Sequence, residues 1–128
     1  MNERIVSPQL SPPPGYSHVA VASGRLVFAA GAVPLDRDGR VVGQGDRAAQ
    51  TRQVLENLRI QLEAAGARPA DVVKITVYVV ATTMEELDVV WDLFTSSEFV
   101  GAPSTLLGVT VLGYPGQLVE VEATAVLE

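Results

Sequence analysis

The chain carries one long β-type segment near its middle, Val72-Val-Lys-Ile-Thr-Val-Tyr-Val-Val80. β-branched residues dominate this segment, and such residues pack well on a pleated surface. Alternation along a strand places four apolar side chains on one face and a mixed set on the other. The four are Val73, Ile75, Val77 and Val79. We therefore predict a strand over residues 72–80, in the centre of a sheet.

The residues before this strand have the pattern of an amphipathic helix. Asp46 is a suitable N-cap, and Gly66 is a suitable C-terminal stop. Between them, the residues of one face recur at alternating spacings of four and three. They are Thr51, Leu55, Leu58, Leu62 and Ala65. The pattern predicts a helix over residues 47–65.

A second helix is predicted soon after the strand. Thr83-Met-Glu-Glu86 matches a capping box, in which the Thr hydroxyl and the Glu carboxylate satisfy free backbone N–H groups. One side of this helix carries Met84, Leu87, Trp91 and Phe94. Other apolar residues leave little polar surface, so we expect cover on more than one side.

Four further β-type runs lie outside the two helices, at residues 18–22, 25–31, 104–112 and 118–127. Ser23-Gly24 separates the first two, and because Gly can adopt the positive φ of a tight turn, we predict a β-hairpin there. A Pro-rich, extended N-terminal arm over residues 1–15 precedes them, with order beginning near Tyr16. The element order is then β-β-α-β-α-β-β, within a single domain of residues 1–128.

This order is typical of an α+β protein with one mixed sheet. Strand-helix-strand crossovers are right-handed, which places both helices on the same face of the sheet. No helix then covers the second face of the sheet, although several strands carry apolar residues on both sides. Because a monomer seldom exposes a large apolar patch, we expect another subunit to cover this face.

The composition excludes several classes of protein. The 128 residues include no Cys and one His, which argues against disulfides, thiolate metal sites and most other transition-metal centres. We therefore expect no metal and no cofactor. No apolar run reaches about 18 residues, and the N-terminus does not have the pattern of a signal peptide. We expect a cytoplasmic protein that does not enter a membrane.

The charge distribution disfavours nucleic-acid binding. The net charge is −6, from 15 acidic and nine basic residues, and residues 75–128 contain no Lys or Arg. Binding to a phosphate backbone depends on clustered basic side chains, and the sequence has no such cluster. A small-molecule ligand is the expected partner.

Six blocks of sequence carry a family resemblance, namely Gly15-Tyr-Ser-His18, Leu26-Val-Phe-Ala-Ala-Gly-Ala-Val-Pro34, Gln50-Thr-Arg-Gln-Val-Leu-Glu-Asn57, Leu62-Glu-Ala-Ala-Gly66, Asp71-Val-Val-Lys-Ile-Thr-Val-Tyr78 and Leu118-Val-Glu-Val-Glu-Ala123. Through them the chain resembles the Rid family of enamine/imine deaminases, also called YjgF or L-PSP proteins. The resemblance implies a chorismate-mutase-like fold and a homotrimer with a central sheet barrel. It also implies a pocket for a small molecule at each subunit interface.

The resemblance breaks at the residue that binds substrate in deaminating members of the family. There, an arginine in the stretch Pro-Ala-Arg-Ser clamps the substrate carboxylate while a glutamate holds the attacking water. Here the stretch is Ala102-Pro-Ser-Thr105, so Ser104 occupies the place of the arginine. This stretch is similar to a family branch that has Pro-Ala-Ser-Thr at the same place. In this chain the Ala and the Pro stand in the opposite order. A lost bidentate contact of about 1.5–3 kcal/mol lowers turnover of a 2-imino acid roughly 10- to 150-fold.

Other positions of the implied pocket are partly retained. Tyr16 and Glu120 match their counterparts, whereas the usual Ser-Gly-Gln is Ala30-Gly31-Ala32 and the usual Asn is Trp91. Glu120 is the catalytic candidate, because a carboxylate in a partly apolar pocket can orient or deprotonate water. The implied substrate-binding residues are Tyr16, Ala30, Gly31, Ala32, Trp91, Ser104 and Thr105.

Several of these residues also have a structural interpretation. Glu120 can lie on a solvated strand face with Glu122, Tyr16 can anchor the arm, and Trp91 can pack in the core. His18, the single imidazole, is interpreted as structural rather than as an acid or base.

Two functions follow from this pattern. The first is metal-free hydrolysis of a small enamine or imine to a carbonyl compound and ammonia, with Glu120 as the base and backbone groups near Thr105 polarising the substrate. The alternative is a non-catalytic trimer that binds a small metabolite in the same pocket. Ser104 favours the alternative, and the retained Glu120 favours hydrolysis. The acidic charge and the lack of a second histidine disfavour an endoribonuclease or translation inhibitor.

Overall fold

The computed structural model describes residues 2–128 and confirms the α+β class. The elements, in chain order, are β1 (Glu3–Ile5), β2 (Val19–Val21), β3 (Arg25–Phe28), α1 (Arg47–Ala64), a 3-10 turn (Pro69–Asp71), β4 (Val72–Val80), α2 (Met84–Thr95), β5 (Ser104–Val109) and β6 (Val119–Leu127). Both predicted helices and the long predicted strand are present with nearly the predicted bounds.

The main sheet is mixed, as predicted, and has four strands in the order β3-β6-β4-β5. β4 and β5 are parallel, whereas β6 is antiparallel to both of its neighbours. β4 therefore lies in the interior of the sheet, with a strand on each side. β1 and β2 form a separate two-stranded antiparallel sheet, so the strands do not all join one sheet.

The predicted hairpin across Ser23-Gly24 is wrong. β2 pairs with β1, and β3 pairs with the end of β6, with Arg25 opposite Leu127. Gly24 has a φ of +139°, and a Cβ at this position would overlap the carbonyl oxygen of Leu127. The glycine thus lets the chain approach β6 closely instead of forming a two-residue turn.

The N-terminal arm is more ordered than predicted. Glu3 lies opposite Val21 and Ile5 opposite Val19, so a strand forms well before Tyr16. The first proline is Pro8. Residues 3–5 therefore keep the backbone N–H groups that a strand ladder needs, and the prolines limit only the segment after them.

A bulge changes the predicted inner face of β4. The register with β6 shifts between Val72 and Lys74. As a result Val72 is fully buried and Val73 is only half-buried, which reverses the prediction for this pair. Beyond the bulge the prediction holds, because Ile75, Val77 and Val79 are all fully buried.

Both helices begin where the sequence predicts. The Asp46 side chain accepts a hydrogen bond from the backbone N–H of Ala49 at 3.0 Å, and the Thr83 hydroxyl accepts one from Glu86 N–H at 3.3 Å. Their buried faces share one core with the inner face of the sheet. Its fully buried members include Val54, Leu58, Leu62, Val90, Phe94, Val119 and Val121. The helices therefore cover one face of the sheet.

The other face of the main sheet, called the open face below, is uncovered within the chain. Its polar side chains belong to Lys74, Thr76, Tyr78, Glu120, Glu122 and Thr124. On β3, Phe28 pairs with Thr124 and Leu26 with Val126, which places both apolar side chains on the same face. Phe28 is 74% exposed and Leu26 is 60% exposed.

Candidate functional site

Glu120 lies on the open face of β6 and packs against the backbone of Gly31. A Cβ at residue 31 would overlap the Glu120 carboxylate, so glycine is required for this contact. Ala32 and Val121 exchange backbone hydrogen bonds of 2.7 and 3.2 Å, which hold the segment of residues 30–32 beside β6. The structure thus brings Gly31 and Glu120 together. The Ala32 side chain itself is in the core.

One oxygen of Glu120 is held by a buried glutamine that sequence analysis missed. Gln117 Nε2 donates to Glu120 Oε1 at 3.0 Å and to the Val119 carbonyl oxygen at 3.1 Å. Gln117 Oε1 accepts a hydrogen bond from Tyr114 N–H at 3.1 Å. The only sequence signal is a polar side chain between a Pro-Gly turn and an apolar strand, and that signal names no partner.

A second buried glutamine fixes the loop that carries Gln117. Gln50 of α1 is fully buried, and its Nε2 donates to the carbonyl oxygens of Gly43 and Gly116 at 3.1 and 3.0 Å. Its Oε1 accepts from Leu118 N–H at 2.7 Å. α1 therefore anchors the chain on both sides of Gln117. Gln50 belongs to one of the family-like blocks, but it is not among the residues predicted for the inner face of this helix.

The neighbouring glutamate on β6 has a different partner. The Tyr78 hydroxyl donates to Glu122 Oε1 at 2.5 Å. This hydrogen bond raises the pKa of Tyr78 above its ordinary value, and burial and the negative charges of Glu122 and Glu120 add to the effect. Among residues 2–128, no cationic side chain forms an ion pair with Glu120. Its carboxylate is held only by a neutral donor.

Tyr16 packs against Trp91 of α2. Their ring centroids are 6.3 Å apart in an edge-to-face arrangement, and Trp91 stacks on Phe94 at 5.2 Å. Trp91 is partly buried against the core, which fits its structural interpretation. The His18 ring also lies edge-on to Tyr16, with centroids 6.1 Å apart, and its Nδ1 accepts a hydrogen bond from Ser7 N–H at 3.0 Å.

Ser104 and Thr105 begin β5, and the hydroxyl groups of both are hydrogen-bonded within the chain. Ser104 Oγ donates to the carbonyl oxygen of Ala102 at 2.7 Å. Thr105 Oγ1 accepts a hydrogen bond from Lys74 Nζ at 2.8 Å on the open face. Ser104 thus provides no positive charge where the family resemblance implies an arginine.

A single chain does not place Ser104 and Glu120 in one pocket. Ser104 is in register with Ile75, and Glu120 is in register with Tyr78, three positions further along β4. Their backbones are therefore roughly 10 Å apart along the strands and about 10 Å apart across them. Leu106 packs into the core, so Ser104, two residues earlier, also faces the helices. Glu120 faces the opposite way.

The main surface clefts formed by residues 2–128 do not include the predicted site. Five clefts of about 270 to 660 Å³ are lined by residues other than the predicted site residues. Within residues 2–128, no three His, Cys, Asp or Glu side chains converge in a way that could hold a metal ion. In the same part of the chain, neither helix combines the length and the apolar character needed to cross a bilayer.

Comparison with known proteins identifies the family. The family described as Endoribonuclease L-PSP matches residues 7–127, which is nearly the whole chain. The chain belongs to this family. The Rid-family protein YyfB of Yersinia pestis has a similar structure, with a TM-score of 0.87 and 39% identity over 98% of each chain. The predicted membership of the Rid (YjgF, L-PSP) family is therefore confirmed.

Curated relatives of this L-PSP protein match over shorter stretches. A RutC family protein of Pyrococcus horikoshii is 42% identical over 61% of this chain and 62% of its own length. The 3-aminoacrylate deaminase RutC of Acinetobacter baylyi is 41% identical over 56% of this chain and 58% of its own length. The chain thus spans about three fifths of the length of these relatives.

Proposed function

We propose that this L-PSP protein is a cytoplasmic homotrimer that hydrolyses a small enamine or imine to a carbonyl compound and ammonia. The observation that carries the proposal is the arrangement of Glu120. Its Oε1 is held by Gln117, its Oε2 lies at Gly31, and no Lys, Arg or His of the described residues forms an ion pair with it. An oriented, unpaired carboxylate is suited to act as a general base. The deaminase activity named for the RutC relative supports the same chemistry.

The reaction needs only water and one carboxylate. The carbon of the protonated C=N bond is attacked by the water oxygen while Glu120 accepts a proton from that water. The resulting carbinolamine takes the proton back on its nitrogen. The C–N bond then breaks and ammonia leaves, while the carbinolamine hydroxyl gives its proton to Glu120 and the C=O bond forms. Backbone groups near Thr105 polarise the substrate. An enamine first becomes the imine by protonation at carbon.

The proposed substrate binds without a carboxylate clamp. Ser104 carries no charge and already donates to the Ala102 carbonyl oxygen. We therefore propose an imine whose recognition does not depend on a carboxylate group. A 2-imino acid is expected to be a poor substrate.

The proposed pocket combines two chains. Tyr16, Trp91 and Ser104 lie on the helix side of the sheet, and Glu120 lies on the open face. We propose that the trimer brings the edge strand β5 of one subunit, with Ser104 at its start, beside the open face of the next subunit, which carries Glu120. The exposed Phe28 and Leu26 support this packing.

The alternative is a trimer that binds a small metabolite without converting it. The specific observation that favours it is the hydroxyl of Ser104 in place of the arginine. In this case Glu120 would orient a ligand rather than activate water.

The decisive experiment measures ammonia release from a panel of freshly generated imines, with and without a carboxylate. We expect the wild type to release ammonia from carboxylate-free imines and Glu120→Ala to lose about 100-fold or more in kcat. Ser104→Arg is expected to increase turnover of 2-imino acids. Glu122→Ala is the matched control, because Glu122 lies on the same strand and face but bonds to Tyr78.

Two results would contradict the catalytic proposal. One is absence of ammonia release by the wild type on every substrate, with activity only in Ser104→Arg. The other is equal loss of activity in Glu120→Ala and Glu122→Ala, which would indicate a general effect of the strand face.

A further inference from the structure

Gln117 is a buried side chain in contact with Glu120, and nothing in the proposed chemistry assigns it a role. It is only 4% exposed, and both ends of its amide group are hydrogen-bonded. We infer that Gln117 is a positioning residue, which orients the Glu120 carboxylate so that Oε2 faces the attacking water. This inference rests on the proposed function of Glu120.

The partners of Gln117 allow one amide orientation. Tyr114 offers an N–H donor, so the amide oxygen must face it, and the Val119 carbonyl oxygen accepts, so the nitrogen must face β6. A flipped amide would place two donors together and two acceptors together. The second N–H of Nε2 is therefore directed at Glu120 Oε1.

The position of Gln117 is itself fixed by α1. Gln50 bonds the Gly116 carbonyl oxygen and the Leu118 N–H, which flank Gln117 on both sides. Gly116 has a φ of +81°, and a Cβ there would overlap the Gln44 side chain. The loop thus has little freedom to move the amide, and the hydrogen bonds run continuously from α1 to Glu120.

A neutral donor has a chemical advantage in this position. A hydrogen bond from an amide fixes one carboxylate oxygen without adding positive charge. A lysine or arginine would fix the same oxygen but would weaken the carboxylate as a base. With Oε1 held by Gln117, Oε2 is the oxygen left to accept the proton of water.

Two variants separate positioning from packing. Gln117→Leu keeps a similar volume and removes the amide. Gln117→Glu keeps the oxygen that accepts from Tyr114 N–H but replaces the donor with a carboxylate oxygen. The matched control is Gln53→Leu, because the Gln53 amide bonds only to Asn57 within α1.

We expect both Gln117 variants to lower kcat for ammonia release by about tenfold to a hundredfold, with KM within about twofold. Gln53→Leu is expected to leave both constants unchanged. In Gln117→Glu the acid limb of the pH profile should also move to higher pH, because a second carboxylate disfavours the ionised form of Glu120. Tyr78 and Glu122, the other titratable groups that face Glu120, are unchanged in this variant. A folding defect would lower activity without moving the limb.

Crystal structures of the variants decide the inference independently of activity. We expect the Glu120 carboxylate to leave Gly31 in Gln117→Leu and to remain there in Gln53→Leu. A Gln117→Leu protein with Glu120 in its original position would overturn the inference, as would one with the wild-type kcat. Failure of the proposed function has a different signature, namely a Glu120→Ala variant as active as the wild type, whatever the position of the carboxylate.

Discussion

At the scale of single residues, the contact between Gly31 and Glu120 has a steric basis. The carboxylate occupies the space where a side chain at residue 31 would begin. Gly31 has no positive φ, so its conformational freedom is not the reason for glycine here. Glycine is needed because it has no side chain.

The first prediction follows from this contact. Gly31→Ala is expected to displace the Glu120 carboxylate and to lower ammonia release by about tenfold or more, with little change in the melting temperature. Gly113→Ala is the control, because a Cβ at Gly113 meets nothing within 4 Å and its φ is not positive. Equal activity of the two variants would contradict the proposed place of Glu120.

Only part of the site is predictable residue by residue. Glu120 and Gly31 stand at family-like positions in the sequence, so both could be named as candidates. Gln117 could not, although its partners Tyr114, Val119 and Glu120 all lie within three residues of it. The turn that directs its amide at Glu120 is held by Gln50, which is more than 60 residues away in the chain. An isolated glutamine in a sequence carries no such information.

At the scale of elements, the bulge in β4 changes which of its residues point into the core. Alternation places Val73 and Ile75 on the same side of an ideal strand. The bulge inserts one residue between Val72 and Lys74, so Val72 takes the inner position. In α1 the predicted inner residues Thr51, Leu58 and Leu62 are fully buried, whereas Leu55 is half-buried and Ala65, the C-cap, is exposed.

The second prediction tests the bulge with adjacent residues of the same type. Val72→Ala is expected to lower the free energy of unfolding by about 2–3 kcal/mol, because it removes fully buried methyl groups and leaves a cavity. Val73→Ala, at a half-buried position, is expected to cost less than about 1 kcal/mol. Urea denaturation measures both. If Val73→Ala lowered the free energy of unfolding more than Val72→Ala, the strand would have regular alternation and the bulge would be contradicted.

At the scale of the whole molecule, the uncovered sheet face is the dominant feature. The helices bury one face, and the open face combines charged and polar side chains with the exposed Phe28 and Leu26. Ser104 and Glu120 are separated within one chain, so the proposed pocket that contains both depends on a second subunit. Oligomerisation therefore links the shape of the molecule to its proposed activity.

The third prediction concerns this assembly. We expect sedimentation equilibrium to show a homotrimer and Phe28→Asp to weaken association about tenfold or more, because a charge would be buried in the interface. Met84→Asp provides the control, since Met84 is 68% exposed on α2 in the opposite layer. A wild-type monomer, or equal effects of the two substitutions, would contradict packing through the open face.

The sequence by itself determined the two helices, the long strands β4 and β6 and most of their buried faces, because periodicity and capping are properties of neighbouring residues. The tertiary structure decided which strands pair with the short N-terminal strands, where the bulge in β4 lies and where the Glu120 side chain is placed. These features depend on contacts between residues far apart in the chain. Gly24 meets Leu127, Gln50 holds Leu118, and Glu120 meets Gly31 only after the strands have paired.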